Sequence, residues 1–159
     1  MNALPRAAAV LLALMAASLP GAVPAQAMVM SNTIVVSNTG STNFIGYRVL
    51  IAPGGQVSYV SGDGPGNSVL PRPLLRRLKH DIAAASPLSH LPEPRICMKP
   101  MSFGTSTFVA LGGERSPDLT CPATWTARAL KNDVAKIVAF LRIRNVPQTQ
   151  GTALPPQNF

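Results

Sequence analysis

Hydrophobic and polar positions repeat with different periods along the chain, and each period predicts a different element. Residues 7–19 are an unbroken apolar run closed by Pro20 and Gly21. Residues 28–43 are polar and small apart from Ile34-Val35-Val36, which predicts an irregular lead-in with at most a frayed edge strand. Tyr47-Arg48-Val49-Leu50-Ile51 and Gln56-Val57-Ser58-Tyr59-Val60 are rich in β-branched and aliphatic residues around Ala52-Pro53-Gly54-Gly55. Proline at the second position and a glycine of positive φ at the third predict a tight turn, hence a β-hairpin. Residues 61–67, Ser-Gly-Asp-Gly-Pro-Gly-Asn, read as a loop.

Helical spacing takes over in residues 70–86, where Leu74, Leu78 and Ile82 recur every fourth residue. Pro71 and Pro73 suit a helix start, and Pro87 stops it. Residues 87–94 form a proline-punctuated connector to Cys97. Residues 102–111 read as a Thr-, Phe- and Val-rich strand, Gly112-Gly113 as a turn, and 114–120 as a poorer strand that Pro117 confines to an edge. Residues 124–144 give the strongest helix, with Leu130, Val134, Ile137, Val138 and Leu141 in one stripe. Trp125 is placed to staple its first turn. Asn145 and Pro147 end it, and 146–159 read as a disordered tail.

The expected fold is therefore α+β, ββα-ββα: a four-stranded antiparallel sheet with two helices on one face, in a single domain over residues 44–145. The two halves align loosely, over too short a stretch to establish a duplication.

The apolar run at the start fits a cleavable leader. Arg6 precedes it, and Ala25-Gln26-Ala27 supplies small residues at the −3 and −1 positions, so cleavage is expected after Ala27. The run falls well short of the ~20 residues that span a bilayer, and no transmembrane segment is expected after cleavage. The expected location is the periplasm or the medium of a bacterium.

Charge adds a possible class of partner. The chain has 14 Lys and Arg against 6 Asp and Glu, and only Arg6 lies in the leader. Net positive charge favours non-specific attraction to polyanions and anionic envelope components. Arg72, Arg76 and Lys79 fall on one side of the first helix, opposite Leu74, Leu78 and Ile82, and are the candidate polyanion contact. A solvated face is the plainer reading of the same stripe.

Two cysteines, Cys97 and Cys121, flank the second hairpin. In an oxidising compartment such a pair most simply forms one disulfide. A metal site would need further ligands at suitable spacing, which His80 and His90 do not provide, so neither metal nor cofactor is expected.

No catalytic constellation emerges. His80 sits beside Arg76 and Lys79 on the polar side of a helix, and His90 lies in the connector. No serine lies in a Gly-x-Ser-x-Gly elbow. Asp81 lies four residues after Arg77, and Asp133 three before Lys136, so both read as helix-surface ion pairs. Asp118, in Ser116-Pro117-Asp118-Leu119, reads as a structural turn residue that bonds backbone N–H groups.

The run from Cys97 through Ser102-Phe103-Gly104-Thr105, followed by Ser116-Pro117-Asp118-Leu119-Thr120-Cys121, resembles uncharacterised exported bacterial proteins. Ala52-Pro53-Gly54-Gly55 fits the same pattern, and the resemblance covers about residues 47–140. It implies a bacterial source and one disulfide, and it carries no known activity. The leading expectation is a small exported binding or inhibitory module whose partner is a protein or an envelope component. Polyanion association through the basic helix face is the first alternative, and an enzyme of unrecognised type the second.

Overall fold

A computed structural model describes residues 32–100 and 102–144. The expected leader, the expected disordered tail and the first residues of the expected lead-in lie outside the described residues. The described residues form six strands and two helices: β1 Ile34–Asn38, β2 Tyr47–Ile51, β3 Gln56–Ser61, β4 Gly64–Val69, α1 Arg72–Ala85, β5 Thr107–Leu111, β6 Glu114–Arg115 and α2 Trp125–Phe140. A short 3-10 turn, Leu88–His90, follows α1. The sheet runs β4-β3-β2-β1-β5-β6 and every pair is antiparallel. The α+β class holds, and the sheet has six strands where four were expected.

The first additional strand is β1, which lies between β2 and β5 instead of fraying at an edge. Val36 is fully buried, with Val49 on one side and Val109 on the other. Its polar end is satisfied in place: the Asn38 amide donates to the Thr105 and Thr107 hydroxyls, and its oxygen accepts from the Gly40 N–H. A segment with three consecutive apolar residues becomes a central strand because two hydrophobic neighbours cover it, a tertiary effect that local propensity does not carry.

The second is β4, formed from the expected 61–67 loop. Gly62 and Asp63 make the two-residue connection between β3 and β4, Gly64 takes a φ of 101°, and Pro65 is accommodated because β4 is an edge strand. Gly66 lies opposite Tyr59, where any side chain would run into the phenol ring. The β2–β3 hairpin forms as expected. Its positive φ, 92°, falls on Gly55 and not on Gly54, as in a turn closed by a glycine bulge. The expected strand over 102–111 begins only at Thr107, and its partner shrinks to Glu114–Arg115.

Both helices cover one face of the sheet. Tyr47, Val49, Ile51, Val57 and Val109 form a single core with Leu75, Leu78 and Ile82 of α1 and Ala127, Leu130, Val134 and Ile137 of α2. Thr124 caps α2 by accepting from the Ala127 N–H. The helix ends at Phe140, before the expected Arg144. Arg142 takes a left-handed φ of 55°, with Arg142 N–H donating to Ala139 O and Ile143 N–H to Val138 O. This pair of bonds is a Schellman ending, and Ile143 folds back onto the core beside Val138.

Candidate interaction site

Between the 3-10 turn and β5, the described residues, 91–100 and 102–106, form no helix or strand. Pro92, Pro94 and Pro100 cannot donate to a helix or a ladder, so other contacts fix this segment. Cys97 and Cys121 form the expected disulfide, with Cα atoms 5.8 Å apart. Two residues on, the Lys99 ammonium contacts the Asp118 carboxylate and donates to Ser106 Oγ at 2.7 Å. The loop turns over Pro100, whose carbonyl accepts from Gly104 N–H at 2.7 Å. A side chain at Gly104 would meet Lys99 and that carbonyl. Farther out, Ser41 Oγ donates to Ser102 O, and the rings of Phe44 and Phe103 meet at a tilt with their centroids 5.5 Å apart.

Asp118 organises the base of the loop. Its Oδ1 accepts from the Thr107 and Thr120 N–H groups at 3.0 and 2.9 Å, while Oδ2 meets Lys99. Burial alone would raise its pKa. The Lys99 hydrogen bond and the backbone donors outweigh burial and bring the value down to about 2. From α2, Lys131 donates to the Thr120 carbonyl at 2.7 Å and so ties the base to the helix.

This anchoring decides what faces outward. Along residues 96–99 exposure alternates: Ile96 and Met98 are out, while Cys97 and Lys99 are half-buried and held by their bonds. Ile96 is 80 % exposed and Met98 91 %. Phe103 is exposed across the turn. Trp125, four residues beyond Cys121, is 76 % exposed and does not staple its helix as expected. The disulfide thus joins two segments that each carry large uncovered apolar side chains. Periodicity alone missed this site. The available signal was the Ile-Cys-Met-Lys alternation, in which fixing the cysteine inward sends both neighbours outward.

The basic residues of α1 divide. Arg72, Arg76 and Lys79 are all exposed, and Lys79 donates to the Pro53 carbonyl at 2.8 Å across the β2–β3 turn. Arg77 is exposed as well, but its Nε reaches to 2.8 Å from Asp133 Oδ1, without the alignment of a hydrogen bond. Asp133 is completely buried between the helices, not on the surface with Lys136 as its spacing predicted. His80 is exposed and bonds Asp81 at 2.9 Å.

Among the described residues no group of three His, Cys, Asp or Glu side chains is placed to hold a metal ion. Among them, too, no helix is long and apolar enough to cross a membrane. A groove of about 440 Å³ runs beside α2, between Val134 and Val138 on one wall and Asn38, Tyr47 and Thr107 on the other. Its polar wall is bonded within itself, and burial raises the Tyr47 phenol above its ordinary range despite the Thr107 hydrogen bond.

No family model and no curated protein matches the chain. The functional reading therefore rests on the molecule's own surfaces.

Proposed function

We propose that this chain is a small disulfide-bonded binding module, exported to the periplasm or medium, that recognises a protein through Ile96, Met98 and Phe103. The observation that carries this reading is the exposure of Ile96, Met98 and Phe103 on a loop in which the disulfide pins Cys97 and Asp118 pins Lys99. Exposed apolar groups gathered on an ordered segment suit a partner's cleft. Methionine and aromatic residues are enriched where such contacts form. Pinning the loop beforehand lowers the entropy lost on binding, as an inhibitory segment requires. The disulfide fits an oxidising compartment, in accord with the leader-like first 27 residues. Exposed Arg95 and the basic composition favour a partner whose cleft has an acidic rim.

Affinity capture from the envelope and medium at low and high salt tests this reading, comparing the wild type with an Ile96→Asp/Met98→Asp double variant. The reading expects a discrete protein held by the wild type at high salt and lost with the double variant. Replacing Arg72, Arg76 and Lys79 with Glu should leave that retention intact. If salt alone releases all bound material and the triple variant abolishes binding, the basic face is the interaction and the loop reading fails.

A further inference from the structure

The contact between the two helices contains a group that the binding reading does not use. Asp133 projects from α2 toward α1 beside the apolar core, and no part of its side chain reaches solvent. From α1, Asp81 faces the same Arg77 guanidinium, and as a carboxylate Asp133 has no hydrogen-bond partner at either oxygen. A carboxylate only accepts hydrogen bonds, so two carboxyl groups in this contact require a proton between them. The charged groups around the pair are Arg77 and His80 from α1 and Lys136 from Asp133's own helix. Arg77 approaches both acids, with Nε 2.8 Å from Asp133 and 4.0 Å from Asp81. His80 bonds the outer oxygen of Asp81, on the solvent side.

We propose that Asp81 and Asp133 form a one-proton latch between the helices, closed in mildly acidic surroundings and weakened in neutral and alkaline ones. The two acids have different environments, which assigns the proton. The His80 hydrogen bond, with Arg77 nearby, lowers Asp81 and keeps it ionised. Burial, reinforced by the Asp81 charge, pushes Asp133 up to about 6. Protonated Asp133 then donates to ionised Asp81, and Arg77 balances the remaining negative charge. Above that range Asp133 loses its proton, and the donated bond becomes a repulsion between two carboxylates inside an apolar contact.

The sign follows from linkage. An acid whose pKa is higher in the folded than in the unfolded chain binds more protons when folded, so stability falls as pH rises from the ordinary carboxylate range to about 6. Any biological surroundings that acidify would tighten the helix pair, and neutral surroundings would loosen it.

Thermal melting of the full chain at pH 5 and pH 8 tests the latch. The wild type is expected to melt several degrees lower at pH 8. In Asp133→Asn the amide donates to Asp81 at either pH, so most of that difference should vanish and the variant should melt above the wild type at pH 8. His80→Gln should keep the wild-type difference, which separates the carboxyl pair from the imidazole. If His80→Gln abolishes the pH dependence and Asp133→Asn preserves it, the latch is refuted. Should Asp133→Asn fail to fold, the side-chain carboxyl carbon of Asp133 in the wild type can be titrated by NMR. A midpoint near 6 upholds the latch, and one near 4 overturns it.

Discussion

The base of the disulfide loop and the contact between the helices each enclose a carboxylate, and they treat it in opposite ways. Asp118 is surrounded by donors, namely the Thr107 and Thr120 amides and the Lys99 ammonium, and its pKa falls to about 2. Asp133 is surrounded by aliphatic side chains, a second carboxyl and one off-axis guanidinium, and its pKa rises to about 6. Burial pushes both upward, so the donors decide the outcome. The same contrast separates the two regions mechanically. The helix pair is held by apolar area and carries a polar flaw inside. The loop is held by a few discrete bonds and leaves its apolar side chains outside.

Truncating a side chain in the helix contact should have the largest effect. Leu78 and Leu130 are fully buried, so Leu78→Ala or Leu130→Ala should cost about 2–5 kcal/mol, read from chemical denaturation. Replacing Cys97 and Cys121 with Ser should cost about 3 kcal/mol by the chain-entropy account. It should also open residues 91–106 to protease well before the helices melt. An equal gain in cleavage within α1 would show that the loop and the helices are not held separately.

The carboxylates themselves sharpen the contrast through pH. The folded pKa of Asp118 is depressed, so its stabilising contribution is present above about pH 4 and is lost as pH falls through 2. Asp118→Asn should therefore cost about 2 kcal/mol at pH 7 and little at pH 2, by urea denaturation at each pH. Asp133 acts with the opposite sign and its contribution fades from about pH 4 to 6, so the wild type should be most stable near pH 4. A stability maximum above pH 7 would contradict the assignment of Asp133. Thr124→Ala, which removes the cap of α2, should cost about 1 kcal/mol. Met98→Asp should change stability by less than about 0.5 kcal/mol, because the side chain is already in water.

Much of this division was legible in the amino-acid order. The Pro53-Gly54-Gly55 turn, the Leu74/Leu78/Ile82 and Leu130/Val134/Ile137 stripes and the two cysteines suffice for one hairpin, two helices and the disulfide. The strands β1 and β4 were not, because Ser37, Asn38, Pro65 and Gly66 owe their strand conformation to neighbours distant in sequence. Asp133 lies three residues after Leu130 and four before Ile137, which places it on the apolar stripe. Its spacing to Lys136 suggested a surface pair, and only packing against α1 decides between the two. The exposed loop was hidden for a related reason. Hydrophobic residues flanking a cysteine look like core until the partner's position fixes which way the chain faces.

The most direct test of the binding account places a photo-crosslinking residue at position 98 in one sample and at position 76 in another, each in the full chain, and irradiates both in envelope extract at high salt. The account predicts one discrete protein adduct from position 98 and none from position 76. Adducts from position 76 alone, or none from position 98 at any salt concentration, would contradict it.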